Sequence, residues 1–300
     1  MSAVAAESQS VLAPERLDEL RRRAERWWKT SRRYPRMLIF GAVIGVLILI
    51  GIFAPIVAPY DPLQTAPAQV LAQPSPAHLL GTDNIGRDQF SRVVYGARIS
   101  LGVAVIAVTI ALTFGMSMGL IAGYLGGWAD QALSRLVDAM LAFPGVLLAI
   151  AITSALGPSL RNAMIAVGII QIPVYFRLAR GQVLQVREHE FITAAAVIGA
   201  SRKRILGRHI MPNIANPLIV AASISSSTSI LALAALGFIG VGPQPPDPDW
   251  GSMINTASGV LGQAPWLSFG PGLAIFLTVF SFSMLGDALR DALDPRLRIN

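Results

Sequence analysis

Six long apolar runs, at roughly 37–58, 99–123, 134–156, 162–182, 214–240 and 268–288, constrain this chain more than any other feature. About 20 apolar residues suffice for a helix to cross the hydrocarbon core, and a helix satisfies its own backbone groups there. Composition agrees, with 53% hydrophobic residues, 14% charged residues and a mean hydropathy of +0.57, far above a soluble domain. The expected fold class is all-α: a polytopic membrane protein with six transmembrane helices. The first run follows a hydrophilic tail too long for a signal peptide, so it is expected to be a retained membrane helix.

The net charge of +7 is explained by its placement. With the N-terminus inside, Arg87, Arg92, Arg98 and Arg161 fall outside, and the other 20 of the 24 basic residues fall inside. That is the bias of the positive-inside rule, so both termini are expected in the cytoplasm. The basic excess then reflects orientation and lipid contact, and a nucleic-acid partner is not expected. Absence of cysteine excludes thiol catalysis, disulfides and zinc-thiolate sites.

Residues 14–33 put Leu17, Leu20, Ala24, Trp27 and Trp28 on one helical face among arginines, which suits a helix lying on the inner leaflet. A solvated charged tail is the alternative. After the first crossing, Pro55, Pro59 and Pro62 open an outer loop over 59–98. It ends in LGTDNIGRDQFSRVVYGARISL, where Asp83, Arg87, Asp88 and Arg92 alternate in sign. These charges either pair with one another and fix the loop or present a docking or gating face. The second outer loop, 241–267, carries Pro243, Pro245, Pro246, Pro248 and Trp250, a pattern read as a stiff, non-helical lid or docking rim. Gly115, Gly119 and Gly123, four apart, permit close helix approach. In the fifth run Ser223, Ser226, Ser227 and Thr228 serve either helix packing or the lining of a wet path.

The stretch EFITAAAVIGASRKRILGRHIMPN is a polar island between two apolar runs. Ala194, Ala195 and Ala196 give a short smooth helix, Gly199 ends it, and Ser201 can cap a second helix bearing Arg202, Lys203 and Arg204. Pro212 and Pro217 are expected around the first turn of the fifth crossing, joining the hairpin stiffly to it.

Four stretches together resemble the C-type permease subunits of dipeptide and oligopeptide ABC importers, whose relatives include nickel and glutathione importers. They are APYDP (Ala58–Pro62), the LGTDNIGRDQF segment, the hairpin with its Ala-Ala, Gly and Pro-Asn spacing, and GVGPQPPDPDWGSMI with the terminal LRDALDPRLR. The resemblance implies the transmembrane fold of a type I ABC importer in a bacterial plasma membrane. It divides the chain into a tail (1–36) and a permease domain (37–300), and makes 183–213 a coupling loop gripped by separate ATPases. Thr193, Ala194, Ala195, Gly199, Ala200, Ser201, Arg204 and Pro212 are its coupling residues. Thr193 stands where the general motif often has Glu, which removes one charge-assisted contact and leaves the small-residue surface. The implied partners are a homologous second permease, two ATPase subunits or domains that hold ATP and magnesium, and an external substrate-binding protein; the chain itself is expected to bind no cofactor.

The sequence contains no G-x-x-x-x-G-K-[ST] phosphate loop, so an ATP site has to come from a partner. A secondary transporter would place ionisable groups deep in the membrane, whereas Arg135, Asp138, Arg161, Arg177 and Arg180 fall toward segment ends. A membrane enzyme is disfavoured because His78, His189 and His209 lie far apart in loops, and no catalytic residue or metal site is expected. Peptide is the expected cargo, with nickel disfavoured by the lack of an intramembrane His.

Overall fold

The computed structural model describes residues 35–293; the amphipathic tail expected over 14–33 and the last part of the terminal motif lie outside them. Twelve α-helical segments, with a short 3-10 helix at Pro67–Gln69 and two π turns, are joined by loops in the described chain. Helix α1 spans Pro35–Ile52 and is followed by the single turn α2, Ala54–Val57. Helix α3, Gln89–Ala111, continues through a π turn at Leu112–Met116 into α4, Ser117–Leu125. Helices α5 (Gly127–Leu141) and α6 (Gly145–Leu156) lead to α7, Leu160–Val186. The hairpin comprises α8 (Glu190–Val197), α9 (Arg202–Arg204) and a π turn at Ile205–Ile210, from which α10 runs over Met211–Ile239. Helices α11 (Trp250–Ser258) and α12 (Trp266–Leu293) complete the chain.

Several boundaries differ from the sequence reading, each for a local reason. The second crossing starts ten residues earlier than expected, because Asp88 caps α3 by accepting from the Ser91 amide at 2.7 Å. Arg92 and Arg98 therefore sit on a helix and not in the outer loop. In the second outer loop the proline-rich turn gives way to α11, capped by Asp249 through the Ser252 amide at 2.9 Å. The third crossing is a bent pair: α5 and α6 meet at 89° across Ala142–Pro144. Pro144 has no amide hydrogen to give the preceding turn and disfavours helical geometry at Phe143, so the helix breaks there. The fifth crossing belongs to a helical run reaching back to Arg202, so Pro212 and Pro217 lie within it. The wider π turn before Met211 relieves the ring–carbonyl clash that Pro212 would meet in a regular helix, and Asn213 Nδ2 donates to the His209 carbonyl at 2.6 Å.

Five helical runs are long and apolar enough to span a bilayer, and α5–α6 is the sixth candidate only if counted as one bent span. The packing settles the parity. Met37, at the start of α1, is buried with Ala288 and Ala292 near the end of α12, so the described chain enters and leaves at one end of the bundle. An even number of crossings follows, and α5–α6 must supply one of them. At 12 residues, about 18 Å, α6 is too short to cross by itself.

Close backbone packing joins α7 to α4 and to the π turn that precedes it. A β-carbon at Gly115 would stand 2.6 Å from the Ile172 carbonyl oxygen, one at Gly119 2.6 Å from that of Phe176, and one at Gly123 2.8 Å from the Val183 β-carbon. The four-residue glycine stripe thus lets the two backbones nearly touch. Gly119→Leu is expected to destabilise the fold by about 2–3 kcal/mol, whereas Gly181→Leu, which points into open space, is expected to be near neutral. Thermal unfolding of the two variants in detergent checks this.

Candidate functional site

The hairpin at one end of the bundle is built as its sequence suggests, with one reversal. Gly199 adopts φ +82°, its amide donates to the Ala196 carbonyl, and the Ala200 amide donates to the Ala195 carbonyl, both at 3.0 Å. This pair of bonds is a Schellman closure, which needs a left-handed residue at that place and so selects glycine. Ser201 Oγ accepts from the Arg204 amide at 3.4 Å and starts the next helix. Ile192 and Ala195 are buried with Val183 and Val186 of α7 and with Ile205, Ile210 and Ile214, which fastens α8 to both neighbouring helices. Ala195 therefore faces the bundle and is not offered to a partner. Arg187 adds a bond to the Gly123 carbonyl at 3.0 Å, tying the hairpin base to the end of α4.

The opposite face of the hairpin is open. Thr193, Ala194, Ser201, Arg204 and Pro212 are exposed and Ala200 is half-buried. Beside them stand three apolar side chains that sequence reasoning passed over: Phe191, Val197 and Ile198, the last two more than 80% exposed. Their period could have revealed them, since Ile192 and Ala195 occupy the inward positions of the same short helix. An exposed apolar patch flanked by three cations has the form of a protein-docking surface.

Inside the bundle the hydroxyl-rich segment of α10 is a packing seam. Ser225, Ser227 and Ser229 are buried, Ser223 and Ser226 are half-buried, and Thr228 is exposed. Ser226, Ser227, Thr228 and Ser229 all donate to backbone carbonyls within α10. Gln171 of α7 donates to Ser229 Oγ, Thr228 donates to Gln171 Oε1 at 3.4 Å, and Ser283 of α12 donates to Ser227 Oγ at 3.2 Å. Of the four hydroxyls singled out in the sequence, Ser227 and Thr228 thus join Ser229, Gln171 and Ser283 in a polar zipper linking three helices, while Ser226 bonds within α10. Gln171 was missed because a lone amide in an apolar run carries no periodic signal.

At the other end, the charged segment folds in on itself. Asp83 accepts from the amides of Ile85 and Arg87 at 3.0 and 2.9 Å, pairs with Arg87 Nε at 2.7 Å and lies 3.7 Å from Arg92 Nε. Arg92 in turn donates to the carbonyls of Pro62 at 3.0 Å and Pro246 at 3.4 Å, stapling the two outer loops together. Asp88 Oδ1 meets His78 Nδ1 at 2.9 Å. Trp250 is fully buried and donates to the Val93 carbonyl at 2.9 Å. Asp83, Arg87, Asp88, Arg92 and Trp250 therefore form a buried lock and not a docking face, while Pro245 and Pro246 remain exposed on the rim. No cluster of three metal-ligating side chains occurs among the described residues.

Asp249 belongs to the same lock. Burial pushes its carboxyl up from 3.8 to about 6, and its Oδ1 has no hydrogen-bond partner. The folded state then holds this proton more tightly than the unfolded chain, so its contribution is full below pH 3.8 and is lost as pH rises through 6. The thermal midpoint is expected to fall between about pH 4 and 6, a step that Asp249→Asn should flatten. Asp83→Ala strands Arg87 and Arg92 in a buried site and is expected to destabilise by about 3–5 kcal/mol in the same unfolding assay.

Comparison with known proteins matches these features to a single group. Residues 115–299 match the family described as binding-protein-dependent transport system inner membrane component, and residues 24–74 match the N-terminal TM domain of oligopeptide transport permease C. The dipeptide transport system permease protein DppC of Alkalihalophilus pseudofirmus is 49% identical over 262 residues, 86% of each chain. The glutathione transport system permease protein GsiD of Shigella flexneri is 45% identical over 282 residues, 94% of this chain and 93% of its own. An inward-facing structure of the MetNI methionine ABC transporter superposes with a TM-score of 0.55 at 18% identity, covering 68% of this chain and 97% of that one. The fold is thus that of an ABC-importer transmembrane subunit, and the chain belongs to the family of binding-protein-dependent transport system inner membrane components.

Proposed function

We propose that this chain is the transmembrane subunit of an ATP-driven importer of di- or oligopeptides. It pairs with a homologous permease to form the path and sits in a bacterial inner membrane with both termini in the cytoplasm. Two ATPase subunits or domains supply ATP and magnesium chemistry, and an external binding protein delivers the cargo. The observation that carries this reading is the hairpin at 190–213. It is an exposed patch of small and apolar residues bordered by Arg202, Lys203 and Arg204, clamped by Ile192 and Ala195 and continuous with a membrane-spanning helix.

In this reading ATP binding draws the two ATPases together, displaces the docked hairpins and tilts the helices joined to them, so that the path opens alternately to each face. Ion coupling is disfavoured by the pairing of Arg180 with Asp130 at 2.5 Å and Arg177 with Asp138 at 3.0 Å, which accounts for charges a proton relay would use. Glutathione, itself a tripeptide, is the second reading, favoured by the 45% identity to GsiD over nearly the whole chain. Nickel has no histidine to receive it in the apolar spans: His78 is in the outer loop, and His189 and His209 are in the hairpin.

Gly199→Leu tests the coupling. An added β-carbon meets nothing within 4 Å, so the change acts through the left-handed backbone at φ +82°, at roughly 1–2 kcal/mol, and through the bulk it puts on the docking face. The variant is expected to insert and fold yet to lose most uptake of a labelled dipeptide while the ATPases keep hydrolysing. Normal uptake by this variant would remove the hairpin from the mechanism. Competition of that uptake by glutathione against unlabelled dipeptide separates the two cargo readings.

A further inference from the structure

Two clefts on the outside of the bundle share a single residue, Arg98. The first, of about 500 Å³, is an apolar groove between α1 and α3, lined by Ile48, Gly51, Ile52, Leu101, Gly102 and Val105. The second, of about 600 Å³, lies toward the outer loops and has a mixed lining, with Tyr60, Asp61, Tyr95 and Asp247 beside several prolines. The helices meet closely at Gly51, where a β-carbon would lie 3.3 Å from the backbone of Arg98, and the groove opens beside that contact. At Gly102 an added β-carbon would meet nothing within 4 Å, so the floor of the groove is vacant space.

We propose that this continuous cleft binds one phospholipid, with the phosphate on Arg98, a terminal ammonium at Asp61 or Asp247, and one acyl chain lying over Gly51 and Gly102. Arg98 is exposed near one end of a membrane-spanning helix, and among the described residues it forms no ion pair. A cation so placed needs an anion, and the planar guanidinium fork matches phosphate oxygens. The two exposed carboxylates would repel a headgroup that is only anionic and attract one that carries a primary ammonium. Tyr60 and Tyr95 are amphipathic side chains of the kind that sit at headgroup depth. From Arg98 to Ile106 the groove follows α3 for ~12 Å, parallel to the direction an acyl chain takes. The proposal depends on the membrane-spanning fold and is independent of ATP coupling.

The test uses the whole complex extracted from membranes in mild detergent and read by native mass spectrometry. The wild type is expected to retain a phosphatidylethanolamine on this chain. Arg98→Gln, which removes the phosphate contact, and Gly102→Phe, which fills the vacant floor, should each lower its occupancy by at least about fivefold. In nanodiscs of equal phosphatidylethanolamine and phosphatidylglycerol, the retained lipid should be mainly the former. A photo-activatable side chain at Val105 in the otherwise unaltered chain should label lipid, which decides the matter even if a variant fails to assemble. Unchanged occupancy in both variants, equal retention of the two lipids, or labelling of the second permease at Val105 would overturn the assignment.

Discussion

The near-contact of α4 with α7 along Gly115, Gly119 and Gly123 sets the geometry on which the functional parts depend. In lipid no hydrophobic force holds helices together, so association rests on packing and on hydrogen bonds between them. The glycine stripe brings the two backbones close enough for dispersion to act along about two turns. It also fixes where the end of α7 emerges, and that end carries Val183 and Val186, the wall on which the hairpin helix rests. The Arg187 bond to the Gly123 carbonyl closes the same junction with a charged donor at a helix terminus, where the carbonyls carry partial negative charge.

Polar groups are placed by the same logic. Within the bundle the buried Ser227 and Ser229 bond to carbonyls of α10 and to side chains of neighbouring helices, so the serine-rich segment adds cohesion between helices. At the loop end Asp83 is buried but matched, serving two arginines and two backbone amides. The exposed cations Arg202, Lys203 and Arg204 on the hairpin form no ion pair among the described residues. Matched charges fix architecture, and unmatched ones border a surface meant for another molecule.

Much of this was legible in the sequence. The apolar runs gave the fold class, the glycine spacing gave a close helix contact, and Gly199 with Ser201 marked the end of one hairpin helix and the start of the next. Illegible were the features decided by long-range partners. Asp88 and Asp249 look like ordinary loop carboxylates until the helices they cap are seen, which is why the second crossing was begun too late and α11 was missed. The third crossing reads as one run over 134–156 because hydropathy averages across Pro144. Pairing of Arg92 with carbonyls from two loops 154 and 30 residues away in sequence leaves no local trace, so a lock was open to being read as a docking face.

The helical run from Arg202 to Ile239 contains 38 residues and is therefore ~57 Å long at 1.5 Å per residue. Its two ends keep different company: one is the exposed hairpin, the other is Gly237, packed against the buried carboxylate of Asp249. Rotating such a rod by ~5° about its centre carries each end ~2.5 Å in opposite directions. That is close to the length of a hydrogen bond, enough to break the seating of an acid whose second oxygen already lacks a partner. A displacement at one end of this rod is therefore carried to the other, because a single helix joins the hairpin to the loop that holds Asp249.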